Sequence, residues 1–220
     1  VAQANVGVDF EIWNKRLRGS FDVYRKTTDD LYISRSISPA LNGGVSTLNA
    51  NVGKMKNEGI DAELNYQLIK PSVNEGLSVL LKGLINYNKQ ELLDLGTEGD
   101  IIGSTSISAV GGVLGENYRV PYLGVNPANG NLLFLDINGN VTENTTNADR
   151  RRTGKNSVPD YQGSFGFEID YKNFFLTTQF NYAIGVWRND FEYSGYIDSD
   201  DIGQFNVSND LSRAWTPDNN

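Results

Sequence analysis

Two pairs of carboxylates, Asp9/Glu11 and Asp61/Glu63, sit two residues apart in segments that alternate between apolar and polar side chains. On a strand, residues i and i+2 point to the same face, so each pair places two acids side by side. Two carboxylates at a suitable separation are the minimum equipment for glycoside hydrolysis. The chain contains no histidine and no cysteine. Imidazole-based triads, thiolate nucleophiles and most zinc sites are therefore excluded, and acid–base chemistry would rest on carboxylates alone. Asp9, Glu11, Asp61, Glu63, Glu168 and Asp170 fall in the centres of separate strand-like runs. That spread suits a hydrated wall better than an active centre, so no catalytic residue and no cofactor is assigned.

Three other groupings have chemical potential. Asp136-Ile137-Asn138-Gly139-Asn140 spaces oxygen ligands as part of a calcium loop would, but the glycine and glutamate of a complete loop are out of place. A hairpin turn accounts for the Asn-Gly pair, and no metal is assigned there. Arg150, Arg151 and Arg152, with Lys155, form the one basic cluster; they could take lipopolysaccharide phosphates, an anionic ligand or an acidic partner, or be a solvated loop. Tyr118, Tyr122 and Trp187 could stack on sugar rings or simply pack loops. The formal net charge of −8 excludes a nucleic-acid partner, which requires a basic surface.

The elements that must position these groups are strands. Gly59 to Leu68 is the clearest: Ile60, Ala62, Leu64, Tyr66 and Leu68 alternate with Asp61, Glu63, Asn65 and Gln67. Five further runs share the period of two, and the six are expected near 5–13, 17–27, 57–70, 77–90, 161–171 and 175–187. Leu80 and Leu84 break the pattern of the fourth. Short polar turns at Asn14, at Pro71 to Gly76 and at Lys172-Asn173 join the runs in pairs. Long aperiodic stretches, 28–56, 91–160 and 188–220, separate the pairs. The second of these holds Leu132–Asp136 between two Asn-Gly steps, which predicts a small β-excursion.

Runs of this length, joined by alternating short and long connections, match outer-membrane barrels with tight periplasmic turns and long extracellular loops. The apolar face then meets lipid and the polar face a watery lumen. Tyr24, Tyr66, Tyr87, Tyr171, Tyr182, Trp13 and Trp187 lie near run ends, where an aromatic girdle would put them. The competing reading is a soluble or surface-attached β-sandwich that binds carbohydrate. No stretch is apolar enough for a transmembrane helix. The chain opens at Val1 directly in a strand pattern and stops at Asn220 without a closing element, so a fragment of a larger protein is expected.

Five motifs carry a family resemblance. They are Asn5–Phe10 with Arg16–Lys26, Asn51–Asp61, Gly124–Gly130 followed by Asp136, Gly154–Asp160 and Arg213–Asn219. In this order they resemble the SusC/RagA family of TonB-dependent outer-membrane transporters. The resemblance implies an all-β fold: an antiparallel transmembrane β-barrel segment of about six strands from a barrel of about 22. It implies TonB-dependent import of an oligosaccharide or peptide in the outer membrane, and no enzymatic activity. It also implies a SusD-like surface lipoprotein over the extracellular mouth, TonB reached through a segment outside this chain, and lipid and lipopolysaccharide around the wall. The plug domain and closing strand are expected outside residues 1–220.

Overall fold

The computed structural model describes residues 1–71, 76–96 and 99–218. Its strands are β1 (Ala2–Ile12), β2 (Leu17–Asp29), β3 (Tyr32–Ser36), β4 (Thr47–Asn51), β5 (Lys54–Ile69), β6 (Ser78–Asp94), β7 (Ile101–Ile102) and β8 (Ser106–Ser108). They continue as β9 (Glu116–Arg119), β10 (Tyr122–Val125), β11 (Leu132–Leu135), β12 (Val141–Thr142), β13 (Arg151–Arg152), β14 (Tyr161–Tyr171) and β15 (Phe174–Ile184). One short helix, α1 (Phe191–Tyr196), follows. The main sheet runs β1-β2-β5-β6-β14-β15, antiparallel throughout. The sheet is open, with β1 and β15 at its edges.

Register aligns the alternating side chains into rows that cross the whole sheet. One row reads Val6, Val23, Ile60, Tyr87, Tyr161, Ile184; the next reads Val8, Phe21, Ala62, Ile85, Gly163, Tyr182. Phe10, Gly19, Leu64, Gly83, Phe165 and Phe180 form a third. A slip of one residue in any strand would turn its apolar set to the other face, so the coherence of six strands fixes the register. The opposite face carries Asp9, Glu11, Asp22, Asp61, Glu63, Asn65, Lys82, Asn86 and Glu168. Leu80, Leu84 and Phe175 interrupt it.

Two glycines let aromatic rings cross the ladder. A Cβ on Gly163 would lie 2.0 Å from the Leu84 carbonyl oxygen and 2.8 Å from the Tyr182 hydroxyl. That hydroxyl donates to the same carbonyl at 3.2 Å. On the polar face Tyr24 covers Gly59 and its hydroxyl bonds Asn88 Oδ1 at 3.1 Å. Tyr24 therefore faces the polar side and is no part of an outward girdle, a correction that follows from its parity with Asp22. Trp187 also leaves the girdle, because it lies beyond β15 and packs in the outer module. Tyr66, Tyr87, Tyr171 and Tyr182 are on the apolar face, as are Tyr161 and Phe174.

The stretch expected to be irregular from Thr27 to Asn57 is largely ordered ladder. β2 and β5 stay paired out to Asp29 and Lys54, and β3 and β4 form a hairpin beyond them. Polar side chains on both faces erased the period there, although the backbone pairing continues. Between β6 and β14 lie two small sheets, β10-β11-β12 and β13-β9-β8-β7. The expected excursion around Leu132 is the first; the second was invisible because its pairs, such as Arg151 with Arg119, are distant in sequence. Of the tight connection expected at Pro71 to Gly76, Ser72–Glu75 lie outside the described residues.

The buried apolar side chains among the described residues are Leu92, Leu95, Ile107 and Ala109. All belong to the junction of β6 with these small sheets. Leu92 shares the polar-face parity of Asn86, Asn88 and Gln90, and Leu114 N–H donates to Gln90 Oε1 at 3.0 Å. The small sheets thus roof the polar face at one end, while among the described residues nothing covers the apolar face.

Candidate functional site

The candidate ligand-contact residues fall in and beside this outer module. Arg152 pairs across to Tyr118 in the β13–β9 ladder. Its Nε donates to Glu116 Oε2 at 2.8 Å, and a terminal nitrogen approaches the same oxygen at 2.7 Å. Glu116 is only 3% exposed, and its other oxygen accepts Gly154 N–H at 2.7 Å. A buried carboxylate needs such partners, since an unpaired one costs several kcal/mol. Arg150 bonds the Gly103 and Ser104 carbonyls at 3.0 and 2.9 Å and lies 5.0 Å from the centre of the Tyr118 ring. Arg151 donates to the carbonyls of Leu135 and Asp136, tying one small sheet to the other.

The three arginines are consecutive in the chain and each guanidinium bonds the chain itself; what the fold adds to them is Tyr118. Tyr118 is half-buried among them. Trp187 is half-exposed, with Lys155 Nζ 3.5 Å from its ring centre and its N–H on the Asn156 carbonyl at 2.8 Å. Lys155 and Asn117 are linked backbone to backbone, so Trp187 borders the Arg150–Tyr118 group. Tyr122 lies apart, exposed on β10 with its ring 5.8 Å from that of Phe134.

Asp136 closes a turn. Its Oδ1 accepts the N–H groups of Asn140 and Asn138 at 2.7 and 2.9 Å, and Oδ2 accepts the Asn140 amide at 3.2 Å. These bonds, that of the Asn140 backbone first, hold its carboxyl below the usual carboxylate range. N–H donors thus occupy the positions a calcium ion would need. Among the described residues no group of three or more acids is placed to hold a metal ion.

Sequence reasoning missed three other acids. Glu143 receives the amides of Asn129, Asn131 and Asn126 at 2.9, 2.7 and 2.6 Å, which lower its pKa. The Asn126–Asn129–Asn131 spacing was the available signal. Asp149 caps its own short helical turn: Thr146 N–H at 2.7 Å, Ile137 N–H at 3.1 Å and the Thr146 hydroxyl at 2.9 Å lower its pKa in that order. Nothing in the sequence singled out Glu116, whose partner is 36 residues away. Trp215 was quoted only within a motif. Its ring lies on Gly130 and its indole N–H bonds the Pro127 carbonyl at 3.0 Å, which straps the terminal segment to the β10–β11 turn.

On the main sheet's polar face the acids are distributed and locally bonded. Asp61 accepts the Asn86 amide at 2.5 Å and Glu63 the Asn65 amide at 2.7 Å. Glu11 pairs with Arg18 at 2.8 Å, and Glu168 pairs with Lys82. Asp22 faces Asp61 across the ladder. One depression of this face, about 460 Å³, is lined by Asp9, Glu11 and Glu63 together with Arg18 and Asn65.

A family model described as TonB dependent receptor-like, beta-barrel, matches residues 1–220. TonB-dependent receptor P39 of Formosa agariphila is 28% identical over 232 aligned residues, covering 84% of this chain and 22% of that protein. TonB-dependent receptor SusC of Bacteroides thetaiotaomicron is 26% identical, with coverage of 88% and 20%. A structure of the RagAB peptide transporter superposes with a TM-score of 0.85 at 26% identity, covering 99% of this chain and 24% of that one. The chain thus spans about a fifth to a quarter of the length of these relatives.

Proposed function

We propose, since the chain belongs to the TonB-dependent receptor-like β-barrel family, that residues 1–220 are a wall and mouth segment of a SusC-like importer in the outer membrane. The observation that carries this reading is the apolar face: six strands wide, in register and uncovered. In β14 it extends from Tyr161 to Tyr171, about 34 Å along the strand and about 26 Å along the membrane normal at a 40° tilt. That height equals the apolar band of an outer-membrane barrel, about 25 Å. A sandwich would place its second sheet on this face. Here the additional sheets sit on the polar side, which disfavours a soluble carbohydrate-binding module.

In this reading the six strands belong to one barrel of about 22, with the turns at Asn14, Pro71 and Lys172 in the periplasm. The stretches 28–56, 91–160 and 188–220 face outward from the cell. The cargo is a nutrient oligomer, an oligosaccharide or a peptide; the superposed relative is titled a peptide transporter. Tyr118, Tyr122, Trp187 and the Arg150–Arg152 cluster supply ring faces and positive charge at the mouth. A SusD-like lipoprotein closes over it, met by the exposed apolar residues of the outer segments, Leu41, Phe191 and Phe205 among them. TonB acts through a segment outside these residues. The chain performs no catalysis.

The test is uptake. In cells carrying the intact receptor, a variant lacking residues 101–155 should reach the surface yet fail to accumulate labelled oligomer. Unchanged accumulation would refute the role given to the module.

A further inference from the structure

The apolar face ends abruptly at the module end of the sheet. Directly beyond the row Val6, Val23, Ile60, Tyr87, Tyr161, Ile184, the same face carries Ala4, Arg25, Glu58 and Lys89 side by side. One row farther lie Thr27, Lys56 and Glu91, and then Asp29 beside Lys54. With Asp94, which pairs with Lys54 in that last row, four cations and four carboxylates stand on a face that is otherwise apolar. The other end of this face has no such step: the rows through Ile12, Leu17, Tyr66, Leu81 and Phe167, then Val79, Ile169 and Leu176, then Tyr171 and Phe174, contain no charged side chain.

Most of these charges are internally paired. Arg25 bonds Glu58, Lys56 reaches Glu58 at 3.2 Å and Glu91 at 3.1 Å, and Lys54 meets Asp29 at 2.9 Å. Lys89 is the unpaired cation of the row nearest the apolar band, Arg25-Glu58-Lys89; it is exposed and has no ion-pair partner among the described residues. The row from Ala4 to Lys89 borders a depression of about 490 Å³. Val6, Val23, Ile60 and Tyr87 form its apolar side, and Arg25, Glu58 and Lys89 its charged side.

We propose that this step is a seat for the phosphate of an outer-leaflet lipid. Lys89 and the outer edge of the Arg25 guanidinium take the anion, and the first methylenes of the acyl chain lie against Val23, Ile60 and Tyr87. The inference rests on the membrane-embedded reading and goes beyond it by assigning the residues and the headgroup chemistry. Charge complementarity selects the occupant: a net positive row is costly beside hydrocarbon and is satisfied by phosphate oxygens. The row also stands two residues along each strand beyond the top of an apolar band of membrane height, where headgroup phosphates lie.

The intact receptor, purified in detergent, is incubated with a diphosphorylated glycolipid and separately with a phosphate-free glycolipid of matched acyl chains. Bound lipid is counted by native mass spectrometry. The wild type should prefer the phosphorylated lipid, Lys89→Gln should lower that preference about fivefold, and Arg25→Gln with Lys89→Gln should remove it. Lys26→Gln, on the opposite face, should leave it unchanged. Lys89→Gln breaks no ion pair, so its result stands even where the double variant folds poorly. An undiminished preference in Lys89→Gln and in the folded double variant overturns the seat. A receptor that never inserts into detergent or bilayer, read from its heat-dependent gel mobility, would refute the embedded reading instead.

Discussion

At the scale of single residues, the outer module depends on carboxylates that accept several N–H donors each. Glu116 is the most exacting, because it is buried and serves Arg152 and Gly154 together. Glu116→Gln should destabilise the module by about 1–3 kcal/mol, because a buried amide cannot accept from both Arg152 and Gly154 and leaves a polar group unsatisfied. Hydrogen exchange at Gly154 and along β9 would report it, and unchanged protection would contradict it. Glu143, Asp136 and Asp149 make the module pH-sensitive in one direction. Their folded pKa values are lowered, so their stabilisation is complete above the unfolded values of about 4 and is lost as pH falls through the folded ones. Limited proteolysis of the module should accelerate below about pH 4, and Glu143→Gln should flatten that dependence. An identical acid profile in the variant would discount its amide cage.

At the scale of elements, the two faces of each strand should tolerate opposite substitutions. Leu64→Arg places a charge mid-strand on the apolar face and should cost about 2–4 kcal/mol of barrel stability in a bilayer. Asn65→Arg, its neighbour on the polar face, should be close to neutral. Urea titration of both variants in the same lipid tests the contrast, and equal losses would reject the assignment of faces. Gly163→Val should impair insertion more than any exposed loop change. Its side chain would collide with the Leu84 carbonyl and displace the Tyr182 ring, opening the β6–β14 seam. A normal yield of folded Gly163→Val would show that the seam can give way.

At the scale of the whole molecule, the sheet has no core of its own. Its strands are held by ladder hydrogen bonds and by whatever meets the two faces, and β1 and β15 leave open edges. The chain expressed alone should therefore aggregate in water and dissolve only in detergent. A monodisperse soluble product would favour the sandwich after all. The buried apolar cluster among the described residues, Leu92, Leu95, Ile107 and Ala109, fastens the outer module to β6 on the polar side. Trp215 fastens the terminal segment to that module. Trp215→Ala should free the segment, seen as faster cleavage after Arg213, with the main sheet unaffected.

The period of two in six runs was enough to establish an all-β antiparallel chain with one apolar and one polar face, because alternation is a local property of extended backbone. Motif order was enough to suggest the family. Cross-strand register, by contrast, depends on residues far apart in sequence, and only the tertiary structure aligned Ile60 with Val23 and Tyr87 into a continuous face. The same limit hid Glu116, whose significance exists only once Arg152 folds back on it. It also hid the side chosen by Tyr24, read at first as girdle though it shares the parity of Asp22. Of the four paired carboxylates, Glu11, Asp61 and Glu63 are locally bonded, and Asp9, Glu11 and Glu63 line one depression of the polar face. What the structure added is where charge resumes on the greasy face, at Arg25 and Lys89.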